Sequence, residues 1–346
     1  MLRQMLVNTP NFVAFRESDI DWMLSVGRCK EHRPNQVLIQ EGQEIIDTVE
    51  ILLEGSLSIC VSPTGNVKDS QEIDRVSPGE IVEALSFVDN RPSSSAFIAL
   101  EPSRILALPK QLLLKKLEQD TEFAAHFYQI VSVLMSQQLR RLTDFLAKNK
   151  VVPGEALRKV LFVFAILNDC DIDWMISQGI KTKVNPGKVL IEAGKPVEAL
   201  YILLDGKLGI FVTTPQNEVA EKEIAQSIKG EILGEMSFVE ATTASATVKA
   251  AESSVLLALP QHKLVEKLKQ DPGFTARFYR AIAVVLVDRI RDRLFRRGFG
   301  TLAYQLDQLL AEDIEVEDEV NLDTLDNTAL AGARFDWMIK RLNRQS

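Results

Sequence analysis

The chain has 346 residues, 46% of them hydrophobic and 25% charged, with a formal net charge of −8. That length is enough for two domains that each bury a core without staples, and the ordinary mix excludes fibrous and disordered classes. The acidic balance argues against nucleic-acid binding, which draws on a basic patch or stripe.

Three cysteines, Cys29, Cys60 and Cys170, form no CxxC pair. They are expected to be buried small hydrophobes of a reducing compartment, and neither a disulfide framework nor a zinc site. The N-terminal stretch MLRQMLVNTPNFVAF lacks a sustained apolar core and a small-residue cleavage site. No apolar run approaches the roughly 20 residues that span a bilayer. The expectation is a cytoplasmic protein with no membrane span.

In chain order, the first predicted element is a short helix carrying DIDWM at 19–23, and the same five residues return at 171–175. The strand QVLIQEG (36–42) is answered by KVLIEAG (188–194), and ILLEGSLSICV (51–61) by ILLDGKLGIFV (202–212). The second pair reads as strand, tight turn at Asp205-Gly206, and a strand alternating Leu208, Ile210, Val212. PGEIVEALSFV (78–88) then matches KGEILGEMSFV (229–239), and ILALPKQLLLKKLEQD (105–120) matches LLALPQHKLVEKLKQD (256–271). The chain is therefore one domain written twice at an offset of 151–152 residues. Solenoid repeats run at roughly 20–50 residues, so this period means tandem globular domains.

Each copy closes on a helical period. AAHFYQIV (124–131) and TARFYRAI (275–282) open amphipathic helices with apolar stripes Phe127, Ile130, Leu134 and Phe278, Ile282, Val285, Leu286. The Pro153-Gly154 break within 148–159 separates the copies. The predicted domains are 1–150 and 151–298, followed at 299–346 by an acidic spacer (311–320) and an amphipathic helix (325–342). The fold class is mainly β with flanking helices, each β-roll closed by its long helix.

The ordered set VLIxxG, YILLDGxLxIxV, GEILGEMSF, SATV, LLALP and a closing long helix resembles the cyclic nucleotide-binding domain family, which includes catabolite-activator-like regulators and kinase regulatory subunits. The resemblance covers roughly 15–145 and 167–297 and implies two tandem jelly rolls. It also implies a phosphate cassette, in which a Glu accepts from the ribose 2′-OH, a short helix aims N–H groups at the phosphate, and an Arg neutralises it. In the second copy Gly234, Glu235, Met236, Ser237, Ser245, Ala246 and Thr247 match, and the arginine position is Ala244. In the first copy Glu83 and Ala84 replace the Gly-Glu pair, Ser93 stands at the arginine position, and Ser94 follows. Arg91 lies two residues early, before Pro92.

Two readings follow. Either both cassettes are structural connections, or the second takes a weak or altered cyclic nucleotide. No other cofactor and no metal is expected, since His32, His126 and His262 lack a second ligand at metal spacing. RRLT (140–143) reads as a solvated helix face. No catalytic triad, Walker loop or carboxylate pair marks an enzyme. The basic run 291–300 is followed by acidic sequence, which leaves a DNA-reading helix unsupported. The partner expected is a protein, or a second copy in a homodimer. In the tail, Phe335, Trp337 and Met338 are the candidate docking residues, on a helix that packs either on its own chain or in a partner's groove.

Overall fold

The computed structural model describes residues 2–7, 9–43, 47–62, 70–148, 162–214, 217–295 and 322–344. The breaks expected at 148–159 and the acidic spacer at 311–320 fall, apart from Lys148, outside the described residues. The described residues form two compact units. One lies within Met1–Ala156 and Leu286–Val316, the other within Leu157–Val285 and Glu317–Ser346. The predicted boundary at 298 differs from this division, which counts 286–295 with the first unit.

The first unit opens with helix α1 (Leu2–Val7), a 3-10 turn (Pro10–Phe12) and helix α2 (Glu17–Val26). Eight strands follow, β1 (Arg28–His32), β2 (Val37–Ile39), β3 (Thr48–Glu54), β4 (Leu57–Val61), β5 (Gln71–Val76), β6 (Ile81–Val82), β7 (Ala96–Ala99) and β8 (Ser103–Pro109). Short helix α3 (Ala84–Asp89) sits between β6 and β7, and α4 (Lys110–Gln119) and the long α5 (Thr121–Lys148) close the unit. The strands make two four-stranded antiparallel sheets, β1-β8-β3-β6 and β2-β7-β4-β5. This is the jelly-roll order, with Leu52, Leu57, Ile105 and Phe97 among the side chains buried between the layers.

The second unit repeats it, beginning with α6 (Phe162–Ile166) and α7 (Asp169–Gln178). Its strands are β9 (Ile180–Val184), β10 (Val189–Ile191), β11 (Ala199–Asp205), β12 (Leu208–Thr214), β13 (Asn217–Ser227), β14 (Ile232–Leu233), β15 (Thr247–Ala250) and β16 (Ser254–Pro260). Helix α8 (Glu235–Glu240) takes the place of α3, and α9 (Gln261–Gln270), α10 (Pro272–Phe295) and α11 (Leu322–Arg344) follow. The sheets are β9-β16-β11-β14 and β10-β15-β12-β13, the same order as before. Even the irregularity recurs, since the register shifts at Leu52/Glu54 and again at Leu203/Asp205.

The turn after that shift explains its glycine. Gly55 and Gly206 have φ of 95° and 92°, and a Cβ on either would lie 2.3 or 2.4 Å from the Oγ of Ser103 or Ser254. Only glycine fits both the conformation and the space.

DIDWM is structural. Asp19 and Asp171 close the first turns of α2 and α7 and are almost wholly buried. Asp19 is paired by Arg16 of its own chain segment (2.8 Å), whereas Asp171 is paired by Arg277 of α10 (2.6 Å). The cation has changed places between the copies, because Arg16 corresponds to Asn168 and Arg277 to His126. Trp22 and Trp174 pack edge-on against Phe123 and Phe274, with Lys116 and Lys267 over the rings.

The cysteine expectation holds only at Cys60. Cys29 and Cys170 are exposed, on the outward strand β1 and in the first turn of α7. RRLT is likewise more than a solvated face, since Arg141 pairs with Asp74 of β5 at 2.7 Å.

Candidate functional site

Both cassettes are built the same way, as a strand end, a left-handed residue, a single helical stretch and a return to the sheet. In the second unit the left-handed residue is Gly234, with φ of 88°, where a Cβ would meet Val197 Cγ1 at 2.9 Å. In the first unit the same position is Glu83, which adopts φ of 55° despite its side chain. Its carboxylate supplies the compensation. Oε1 accepts from the backbone N–H of Ser86 (3.2 Å) and from Ser86 Oγ (2.6 Å), while Oε2 accepts from Ser93 Oγ (2.6 Å). Charge-assisted hydrogen bonds of this kind offset a left-handed conformation that costs about 1–3 kcal/mol.

The far end of each cassette is zipped to the turn after the second strand of its unit. Gly42 N–H donates to Ser93 O and Ser93 N–H to Gln43 O, at 2.8 and 3.1 Å. Gly194 N–H donates to Ala244 O and Ala244 N–H to Lys195 O, at 2.8 and 2.9 Å. Each cassette helix also leans on its long helix through an edge-on aromatic pair, Phe87 on Phe127 (5.5 Å) and Phe238 on Phe278 (5.8 Å).

In the second unit Glu235, Ser237 and Thr247 are buried, Met236 and Ala246 are partly covered, and Ser245 is exposed. Thr247 Oγ1 accepts from Ala193 N–H at 3.1 Å. Ala244, at the cation position, is 6% exposed and belongs to an apolar cluster with Ile191, Leu233 and Val248, flanked by Val197. In the first unit Ala84 is buried beside Glu83, Ser93 is buried at the cation position, and Ser94 is half-buried. Arg91 contributes its backbone N–H to Asp89 Oδ1 (3.2 Å). Two cavities beside this cassette, one lined by Glu83, Ser86 and Lys110 and one by Glu83, Phe97 and Leu134, each hold about 20 Å³. That is room for a single water, against roughly 300 Å³ or more for a small-molecule pocket.

Sequence reasoning missed Arg291. In the first unit its Nη1 donates to Pro92 O (3.0 Å) and its Nη2 to Asp89 Oδ1 (2.9 Å), with Nη2 also 3.5 Å from Ser86 Oγ. Its Nε rests against Asp89 Oδ2 at 2.5 Å as a charge contact. In the sequence Arg291 is one of several charges, with Arg289 and Arg293, that fall off the apolar stripe of a highly charged helix end.

The tail residues fall on a helix that packs on its own unit. Phe335 and Met338 are buried, Phe335 against Phe164 of α6 at 5.0 Å between ring centroids. Trp337 is half-buried, with the Arg341 guanidinium 5.4 Å above its ring. Of the two sequence readings, α11 takes its own chain as the surface for Phe335 and Met338. Among the described residues no helix is long and apolar enough to cross a membrane.

The family model of the cyclic nucleotide-binding domain matches residues 29–120 and 181–271, together just over half of the chain. Among curated proteins, lysophospholipase nte1 of Neosartorya fischeri is 23% identical over 168 residues, 49% of this chain and 10% of that protein. Neuropathy target esterase sws of Drosophila persimilis is 24% identical over 238 residues, 67% of this chain and 14% of its own length. The chain thus spans about a tenth to a seventh of the curated relatives it matches. Among solved structures, the regulatory domain of Toxoplasma gondii PKA with cAMP is 15% identical, with a TM-score of 0.31 and coverage of 80% of this chain and 92% of that one. The N-terminal domain of a Streptomyces coelicolor transcriptional regulator is 27% identical, with a TM-score of 0.33 and coverage of 36% and 91%.

Proposed function

The chain belongs to the cyclic nucleotide-binding domain family, and from that premise we propose that it is a non-catalytic regulatory module that acts by protein contact and does not bind cyclic AMP or cyclic GMP tightly. One observation carries this reading. The residue that would neutralise a ligand phosphate in the second cassette is a methyl group, Ala244, packed among Ile191, Leu233 and Val248. A phosphate placed there trades its hydration for apolar contacts. A hydrogen bond to a charged group contributes about 1.5–3 kcal/mol, so its loss alone weakens binding roughly 10–100-fold. In the first cassette the carboxylate of Glu83 already takes the hydroxyls of Ser86 and Ser93.

A second reading has its own support. Gly234, Glu235, Ser237 and Thr247 are all retained, with Glu235 buried in the second cassette. On that reading the second unit is a cyclic nucleotide sensor that signals to a partner protein. Titration calorimetry of the full chain with cyclic AMP, cyclic GMP and cyclic dinucleotides separates the two. The expected result is no dissociation constant below about 10 μM, since that affinity asks roughly 7 kcal/mol of a site without its cation. Tighter binding that disappears in Glu235→Ala would establish the sensor instead. Association with a protein partner or a second copy is tested by sedimentation of the purified chain and by capture experiments.

A further inference from the structure

We propose that Arg291 is a latch that holds the first cassette in one ligand-independent conformation and ties it to the end of α10. The inference deepens the proposed reading of the first cassette only, and its test does not depend on whether any nucleotide binds.

Five side chains and one carbonyl make a continuous network, buried except at the half-buried Asp89. Ser93 Oγ and Ser86 Oγ each donate to the Glu83 carboxylate, both at 2.6 Å. Arg291 lies one hydroxyl further out, 3.5 Å from Ser86 Oγ, and grips Asp89 and Pro92 O with its two terminal nitrogens. The network therefore engages the start of α3 at Glu83, its end at Asp89, and the return loop at Pro92 and Ser93. These are the parts of a cassette that must shift relative to one another if the loop is to open.

Burial makes the arrangement costly to break. Arg291 is 8% exposed, Glu83 8%, Ser86 6% and Ser93 3%. A guanidinium withdrawn from Asp89 and Pro92 O would itself be left buried without its charge partner, and the half-buried carboxylate would keep only the Arg91 N–H. The closed state is thus held by the chain's own charges.

The second cassette is composed differently at these positions. The positions of Glu83, Ser93 and Asp89 are Gly234, Ala244 and Glu240. The first cassette answers to the position of residues 286–295, and a factor that moves that helix end releases it.

Hydrogen exchange followed by mass spectrometry on the full chain tests the latch, with wild type, Asp89→Asn, Arg291→Lys, Arg291→Ala and the double variant Asp89→Asn/Arg291→Ala. In Asp89→Asn and Arg291→Ala, amides of 84–92 should exchange about tenfold faster or more, the equivalent of about 1.4 kcal/mol of local opening. The double variant should exchange no faster than the faster single, and peptides of β11 and β16 should be unchanged. Arg291→Lys keeps the charge without the fork and should fall between wild type and Arg291→Ala. Exchange in 84–92 within about twofold of wild type in both single variants overturns the proposal. So does full additivity in the double variant. Should Arg291→Ala fail to fold, Asp89→Asn and Arg291→Lys decide the matter alone.

Discussion

Ala244 and Glu83 occupy different places in the same loop, and together they show how a phosphate cassette can keep its backbone while losing its ligand chemistry. At Ala244 the cation has given way to a methyl group at the edge of an apolar cluster. Returning the charge by Ala244→Arg is expected to lower the melting temperature without creating micromolar affinity for cyclic AMP. Pressing a guanidinium among Ile191, Leu233 and Val248 costs about 2 kcal/mol or more. Differential scanning fluorimetry and calorimetry check both halves, and a gain of binding would mean that only the charge was missing. These departures were legible in the sequence, since the repeat aligns Ala244 with Ser93 and Gly234 with Glu83 without a gap. Arg291 was not, because its partners Asp89 and Pro92 lie about 200 positions earlier in the chain. Nor was the exchange of Arg16 for Arg277 as the partner of the buried aspartate, which depends on which element approaches it.

Helix ends and helix faces carry most of the remaining stability argument. Asp120 and Asp271 accept the backbone N–H of Phe123 and Phe274 at the starts of α5 and α10, at 3.0 and 2.8 Å. Burial alone would raise both carboxyls, yet the donors outweigh it. Lys116, Phe123 N–H and Arg16 hold Asp120 well below the usual carboxylate range, and Lys267 with Phe274 N–H lowers Asp271. Groups with depressed folded values contribute stability above their unfolded value near 4 and lose it as pH falls through the folded one. Wild type should therefore lose stability between about pH 5 and pH 2 more steeply than Asp120→Asn, measured by urea midpoint at each pH. The difference is of order 1 kcal/mol, since the carboxylate is partly exposed to screening solvent. A parallel pH dependence in the two proteins would remove Asp120 from the account.

The tail helix can be read in the same way. Its apolar periodicity was legible, but the surface it would choose was not, because periodicity gives a face and no address. Arg334 settles part of that address by donating to the carbonyls of Phe164, Ala165 and Leu167 at the end of α6, and by pairing with Asp169 at 2.7 Å. Phe335→Ala should destabilise the second unit by about 3–5 kcal/mol in urea unfolding. Gly332→Ala, in the same helix with open space around its Cα, should instead stabilise by about 0.5–1 kcal/mol. If Phe335→Ala is neutral while a partner's binding is lost, the packed face is not where that side chain matters.

For the whole molecule, the two copies and their two long closing helices are legible in the sequence because a duplicated chain aligns each element with its twin, while the jelly-roll order comes from the family resemblance. What the sequence hid was the accounting of elements between units. The first unit includes 286–295, whose Leu286, Val287, Ile290 and Leu294 are buried, and the second includes α11. A fragment ending at residue 156 should consequently unfold at lower urea than the first unit does in the full chain, since each buried leucine contributes about 1.5–3 kcal/mol. Equal midpoints would show that the first unit does not need that helix end. The division also has a meaning in time. A ribosome adds roughly 5–20 residues per second, so about ten seconds separate the emergence of α5 from that of residues 286–295. During that interval the first roll waits for a piece of its own core, and the second waits a shorter time for α11. Neither unit is complete until a helix well beyond its own roll has been made, and the fragments that precede that point are the species a chaperone would meet.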